Sequence, residues 1–181
     1  MQNKIIGILL IFCCTVVNAQ NKDTIVWSKG YKLTWEDFKG RPKSSSTAGA
    51  ITNSGISANY TYENGKITFR IIAKFNRKKS WVKPNDKILS TLEHEQLHFD
   101  ITELYVRKLK KKLSETKFKS NPEKIKKQFY RIYDEINKEL NYYQDLYDKE
   151  TTNPRDEAKQ EEWKEKVARE LEELENMQIR N

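Results

Sequence analysis

Cysteine is almost absent from the chain, and histidine is equally rare. The only two cysteines are Cys13 and Cys14, and only two histidines occur in 181 residues. A disulfide framework beyond the first apolar run is therefore excluded, and so is a zinc site built on thiolates. Any zinc-like metal that the protein binds must be held by histidine, carboxylate or neutral oxygen.

Long hydrophobic runs are also lacking, apart from one near the N-terminus. A lysine precedes the apolar residues 5–17, and Val17-Asn18-Ala19 matches the small-residue pattern of a signal peptidase site. We expect a signal peptide over residues 1–19 and export to the periplasm or the cell exterior. The run is shorter than the roughly 20 apolar residues of a membrane span, so we expect no membrane span.

The charge of the chain is basic. Lysine and arginine number 34 against 26 acidic residues, which gives a formal net charge of +8. Such a balance is compatible with nucleic acid, anionic surfaces or acidic substrates and does not choose among them. The length fits a single domain over residues 20–181.

Strands are predicted in the first half of the chain. Residues 24–27 and 31–35 are short aromatic and β-branched runs, which predict two strands around a turn at Lys29-Gly30. Asn64-Gly65 is typical of a type I′ turn and predicts an antiparallel hairpin over residues 56–75. The pairs expected across this turn are Glu63 with Lys66, Tyr62 with Ile67, Tyr60 with Phe69, Ala58 with Ile71, and Ile56 with Ala73.

Helices are predicted in the second half. Pro84-Asn85-Asp86 is a helix-entry signal, and the apolar residues of the predicted helix 86–113 cover most of its circumference, as in a helix packed on several sides. A second helix is predicted from Pro122 to about Tyr147 and a third from about Asp156 to Met177. The predicted fold class is α+β, with a small antiparallel sheet followed by three helices.

The two histidines lie four residues apart, in His94-Glu95-Gln96-Leu97-His98. Positions i and i+4 share one face of a helix, so both imidazoles can reach one ion, and Glu95 lies about 100° round the helix. Zinc held by two such histidines and a third ligand keeps a position for water, and the glutamate can act as the base for that water. The alternative is an ordinary helix with two satisfied polar rings and Glu95 at a solvent edge.

Three segments resemble a known bacterial family. Residues 94–103 are similar to the HEQxHFDIxE signature of the family "domain of unknown function 922", whose members are commonly described as secreted zinc-dependent proteases. Residues 33–42 are similar to its LTWxDFxGxP motif and residues 147–151 to its YDxxT motif, with Gln160 and Trp163 at the expected distance beyond.

The resemblance covers nearly the whole chain after the predicted signal peptide. It implies one zincin-like metallopeptidase domain whose active-site helix is the predicted helix 86–113. It departs from the family at Asn153, where members usually carry a histidine. If that histidine is the third zinc ligand, another residue must replace it, the site binds more weakly, or the domain is inactive.

Several acids could replace the missing histidine. Asp100 and Glu103 face away from the histidines on a regular helix, so we expect them to make supporting hydrogen bonds instead. On the second helix, phase favours Glu139 or Glu150, whereas the family match favours Asp148. We choose Asp148.

The predicted site therefore has zinc held by His94, His98 and Asp148, with Glu95 as the general base of a secreted hydrolase that acts on a peptide or protein. An exposed sheet edge, such as that of the hairpin, could align an extended peptide. One rival is a catalytically inactive zincin-like envelope binding or scaffold module, which Asn153 favours. The other is a polyanion binder, although we expect no nucleic acid partner.

Other conspicuous residues have both a functional and a structural interpretation. Trp35, Asp37 and Phe38 could line a substrate cleft, but packing and turn closure are more common for such a group. Tyr105 could stabilise an oxyanion, although core packing is more common. The basic residues 108–112 suit a solvated face better than a polyanion site.

Overall fold

The chain forms two small antiparallel sheets followed by three helices. The structure is a computed structural model that describes residues 23–151 and 157–179. Its elements are β1 (Thr24–Val26), β2 (Ala50–Ile51), β3 (Ser54–Glu63), β4 (Lys66–Asn76), β5 (Trp81–Val82), α1 (Leu89–Ser114), α2 (Pro122–Glu150) and α3 (Glu157–Ile179). Three strands form a sheet in the order β1-β4-β3, and β2 pairs with β5. The predicted α+β class is confirmed, while the predicted signal peptide lies outside the described residues.

The hairpin of β3 and β4 has the predicted turn and register. Asn64 and Gly65 have φ values of 51° and 77°, as a type I′ turn requires. All five predicted residue pairs occur, and the pairing continues beyond them to Ser54 and Phe75. The strands are therefore longer than predicted but not shifted, which keeps the apolar residues on the face toward the helices.

The strand predicted over residues 31–35 is wrong. Residues 31–34 have no strand partner, and Trp35–Asp37 form a single 3₁₀ turn. The backbone amides bond to side chains instead: Leu33 N donates to Gln96 Oε1 at 2.8 Å, and Thr34 N donates to Asp37 Oδ2 at 2.9 Å. Side-chain acceptors therefore take the place of a partner strand for residues 31–34. The first strand, β1, pairs with β4 and not with residues 31–35.

Helix α1 starts later than predicted. The signal at Pro84–Asp86 begins a 3₁₀ turn, and Ile88, with φ −113° and ψ 160°, separates this turn from the helix. The helix therefore begins at Leu89 rather than at residue 86, without a side-chain cap at Ile88. The histidines remain well inside it, one and a half turns or more from its start.

Helix α1 lies at the centre of the fold. It contacts β3 and β4 on one side and α2 and α3 on the others. Ile101, Leu104, Val106 and Leu109 are fully buried, and each contributes about 1.5–3 kcal/mol by burial. Contacts on several sides fix the position of the helix and therefore the directions in which its polar side chains point.

Helices α2 and α3 cover α1. Asn121 caps α2 by accepting a hydrogen bond from Lys124 N at 3.1 Å. Trp163 of α3 packs edge-on against Tyr143 and tilted against Tyr147 of α2. Among the residues that the structure describes, none of the helices is long and apolar enough to cross a membrane.

Candidate metal centre

The side chains of His94 and His98 project from one face of α1 toward the C-terminal end of α2. Their Nε2 atoms are 3.1 Å apart, and the two rings are nearly perpendicular, at 83°. Asp148 of α2 places Oδ1 at 3.2 Å from His94 Nε2 and 2.9 Å from His98 Nε2. Three donor atoms from two helices therefore converge on one point.

The spacing of these three atoms fits a zinc-sized ion. Donors that bind one zinc ion tetrahedrally at about 2.0–2.2 Å lie roughly 3.3–3.6 Å apart. The observed separations of 2.9–3.2 Å therefore need only a small expansion. Within residues 23–151 and 157–179, His94, His98 and Asp148 form the group of potential ligands that is close enough to hold one metal ion.

Tyr147 and two glutamines surround the histidine rings. The Tyr147 ring stacks on His94 with 4.6 Å between centroids and meets His98 edge-on. Gln144 Oε1 lies 2.5 Å from His98 Nδ1, and Gln160 Oε1 lies 3.4 Å from His94 Nδ1. The Nδ1 atoms thus have partners of their own, which leaves both Nε2 atoms directed at Asp148.

Glu95 is not at a solvent edge. It is only 4% exposed, and its Oε2 has no hydrogen-bond partner among the described residues. A buried carboxylate oxygen without a protein partner is costly, and a bound water, ion or substrate would supply the partner. Glu95 lines the same cleft as the two histidines, where an acceptor oxygen can reach a bound molecule.

The charges of His98 and Asp148 support each other. Burial disfavours the charged form of each, but their mutual hydrogen bond and attraction outweigh that effect. The pKa of His98 is raised, with further help from the Glu95 charge and Gln144. The pKa of Asp148 is well below its usual range because it also bonds to His94. Asp148 is thus an anion at neutral pH, as a metal ligand should be.

A cleft of about 710 Å³ opens over the histidines, within the size range of ligand sites. One wall is formed by residues 47–52, which include β2. In the described part of the chain β5 is the one strand paired with β2, so its other edge carries no strand. Thr52 Oγ1 donates to the Glu95 carbonyl at 3.0 Å and joins this wall to α1.

A comparison with known families assigns most of the chain to one of them. The model of the family described as "Bacterial protein of unknown function (DUF922)" matches residues 18–158.

The chain belongs to the DUF922 family. No curated protein and no solved structure matches it. The family description names no activity, so the chemistry of this DUF922 protein must be argued from its own residues.

The YDxxT motif of this DUF922 chain lies at the candidate metal centre. Tyr147 packs on the histidine rings, and Asp148 faces the Nε2 atoms of both histidines. Thr151 Oγ1 donates to the Tyr147 carbonyl at 2.7 Å and lies 3.5 Å from His94 Nδ1. Glu150, which helix phase favoured as a ligand, instead accepts a hydrogen bond from Trp163 Nε1 at 3.0 Å. Of these two acids it is Asp148, which the family match favoured, that lies beside both imidazoles.

The acids after the second histidine support the fold. Asp100 accepts hydrogen bonds from Trp27 Nε1 at 2.7 Å and Gln96 Nε2 at 2.9 Å, and Glu103 pairs with Arg107 at 3.0 Å. Burial raises the pKa of both carboxyls. These two residues tie α1 to Trp27, which directly follows β1, and, through Arg107, to α3.

The LTWxDFxGxP segment also serves the fold. Asp37 accepts from Tyr31 and pairs with Arg77 at 2.9 Å, and Phe38 packs edge-on against Phe75. A Cβ on Gly40 would lie 2.8 Å from two backbone carbonyl oxygens, so this motif position has no room for a side chain. None of these residues lines the described cleft.

Tyr105 and the basic segment 108–112 have structural surroundings. Tyr105 packs against Tyr143 and does not line the cleft over the histidines. In the basic segment, Lys108 pairs with Glu170 and Lys112 with Glu135, which favours a solvated, ion-paired face. The departure at Asn153 lies outside the described residues.

One supporting residue and one segment of the cleft escaped the sequence reasoning. Gln144 lies one turn before Asp148 on α2 and therefore shares its face, a signal that the i, i+4 rule could have revealed. The wall at residues 47–52 had no local signal, because this short run of threonine, alanine, glycine and isoleucine lines a cleft only after folding.

Proposed function

We propose that this DUF922 protein is a zinc-dependent hydrolase that cleaves peptide bonds. The observation that carries the proposal is the convergence of His94, His98 and Asp148 in one cleft with the buried, unpartnered Oε2 of Glu95. Two imidazoles and one carboxylate are a donor set typical of catalytic zinc, which leaves further coordination positions open.

His94, His98 and Asp148 would hold a zinc ion, which would supply Lewis-acid chemistry: polarisation of a carbonyl and activation of water near neutral pH. Glu95 Oε2 accepts a proton from the water that attacks the carbonyl carbon. As the C–N bond breaks, the same oxygen passes this proton to the leaving nitrogen. The products are a carboxylic acid and an amine, which become a carboxylate and an ammonium group when the acid proton moves to the amine, and Glu95 returns to its starting form.

The cleft wall supports an extended substrate. Residues 47–52 line the cleft, and the edge of β2 away from β5 carries no strand among the described residues. An extended peptide can add to such an edge by main-chain hydrogen bonds. We therefore place the peptide along β2 rather than along the middle of the hairpin, of which Ser54 alone lines the cleft.

Digestion of a peptide library tests the proposal. The purified protein, Glu95→Gln and the control Glu93→Gln are compared, since Glu93 is an exposed acid on the same helix. The wild type and the control should cleave, whereas Glu95→Gln should keep its zinc and lose roughly 10²–10⁴-fold in rate.

Two outcomes would contradict this proposal, the first in the role of Glu95 and the second in the activity itself. Glu95→Gln with wild-type cleavage would remove Glu95 as the base. A wild type that holds stoichiometric zinc but cleaves no peptide would support the binding or scaffold module instead.

A further inference from the structure

The imidazole of each histidine has an amide oxygen at the nitrogen that faces away from Asp148. Gln144 Oε1 is 2.5 Å from His98 Nδ1 and comes from α2; Gln160 Oε1 is 3.4 Å from His94 Nδ1 and comes from α3. Each ring is therefore held between a neutral acceptor on one side and the metal-facing point on the other.

The orientation of the Gln144 amide is determined by its neighbours. Its Nε2 donates to the His98 carbonyl oxygen at 2.9 Å, and a carbonyl oxygen can only accept. The other amide atom, which faces His98 Nδ1, must therefore be the oxygen. Because an amide oxygen can only accept, Nδ1 must carry the hydrogen.

The arrangement at Gln160 is looser. The Tyr147 hydroxyl donates to Gln160 Oε1 at 2.8 Å and fixes it as an acceptor. His94 Nδ1 lies between this oxygen and Thr151 Oγ1, at 3.4 Å and 3.5 Å. Both contacts are long for a hydrogen bond, so two weak acceptors share the Nδ1 proton.

We propose that Gln144 and Gln160 are positioning residues that keep both histidines in the Nδ1–H form, so that each Nε2 presents a lone pair to one cation. This inference rests on the proposed metal site, and it adds that Gln144 exerts the stronger control. Partners of this kind fix the tautomer and orientation of metal-binding histidines. Neutral amides do so here without adding a negative charge to the site.

Substitutions of Gln144 can distinguish a residue that orients the His98 ring from one that only anchors the backbone. Gln144→Leu removes both the acceptor for His98 Nδ1 and the donor to the His98 carbonyl. Gln144→Glu keeps an acceptor and loses the donor. A residue that only anchors the backbone would fail equally in both variants, whereas a residue that orients the ring should be rescued by glutamate.

Zinc affinity, measured by competition with a chromogenic chelator, gives the first readout. Gln128→Leu is the matched control, because Gln128 also lies on α2 and bonds to backbone atoms of residues 117 and 119, far from the site. Gln144→Leu should weaken zinc binding roughly 10–100-fold, and Gln160→Leu by less than about tenfold. Gln144→Glu should bind at least as well as the wild type.

The ring ¹⁵N shifts of the metal-free protein, recorded at alkaline pH in an Asp148→Ala background, give the second readout. Without zinc the Asp148 carboxylate is a second acceptor, at His98 Nε2, so its removal leaves residue 144 to determine the tautomer. In this background His98 should carry its hydrogen on Nδ1 when residue 144 is glutamine or glutamate, and should shift toward Nε2–H in Gln144→Leu. Equal zinc affinity of Gln144→Leu and Gln128→Leu, or an Nε2–H ring in Asp148→Ala with Gln144 intact, would overturn the inference. A wild type that binds no zinc would overturn the proposed function, while the NMR result would still judge the positioning.

Discussion

Replacing Asp148 by alanine should weaken zinc binding far more than replacing any other acid of α2. Asp148 Oδ1 is the donor atom that faces both His94 Nε2 and His98 Nε2, at 3.2 Å and 2.9 Å. The alanine variant leaves two imidazoles, which hold a zinc ion much less firmly than three ligands do.

The size of the loss follows from the number of ligands. Structural zinc sites with four ligands bind with about 10–16 kcal/mol, or about 2.5–4 kcal/mol per ligand, which is roughly 10²–10³-fold in Kd. The Asp148 side chain is 58% exposed, so water can take the place of the lost oxygen. We therefore expect the lower end, roughly 100-fold.

Competition with a zinc chelator at constant pH measures this loss. Asp145→Ala is the control, because Asp145 is an exposed acid one turn earlier on α2. An Asp148→Ala variant with wild-type affinity would refute Asp148 as a ligand. If Asn153→Ala weakened zinc binding instead, the third ligand would be Asn153, which stands where the family usually has histidine.

The remaining predictions concern stability, measured by urea unfolding with a chelator present. The ion pair of His98 and Asp148 should stabilise the metal-free protein fully between pH 3.8 and 6.5, the ordinary pKa values of the two groups. Its stabilisation should decline as the pH falls through the lowered pKa of Asp148 or rises through the raised pKa of His98. The deficit of Asp148→Asn should follow this window, and a deficit independent of pH would contradict the pairing. Gly40→Ala should cost roughly 1–3 kcal/mol because its Cβ meets backbone oxygens, whereas Gly30→Ala, in open space, should change stability by less than about 1 kcal/mol. Asn121→Ala should cost about 1 kcal/mol through the lost cap; no change would mean that the cap is replaced.

The hairpin and the helices could be predicted because their signals are local. Asn64-Gly65 selects the turn type, and the turn then determines every pair between β3 and β4. The spacing of apolar residues in α1 and α2 predicted which faces are buried. His94 and His98 share a face for the same reason, since four residues are about one helical turn.

Contacts between distant segments could not be predicted in this way. Residues 31–34 have β-forming side chains, but their backbone bonds to Gln96, about 60 residues away, and to Asp37. Propensity describes a residue among its neighbours and takes no account of such acceptors. The family motif favoured Asp148, which lies beside both imidazoles, while helix phase favoured Glu150, which bonds to Trp163 instead. Helix phase describes one helix by itself and takes no account of where the neighbouring helix places its polar groups.

Anomalous diffraction at the zinc edge, from crystals of the purified protein grown with zinc, tests the central claim most directly. The account predicts one strong peak within about 2.0–2.2 Å of His94 Nε2, His98 Nε2 and Asp148 Oδ1, in the cleft that Glu95 lines. A map without a peak between these atoms, or with the two imidazoles turned apart, would contradict it.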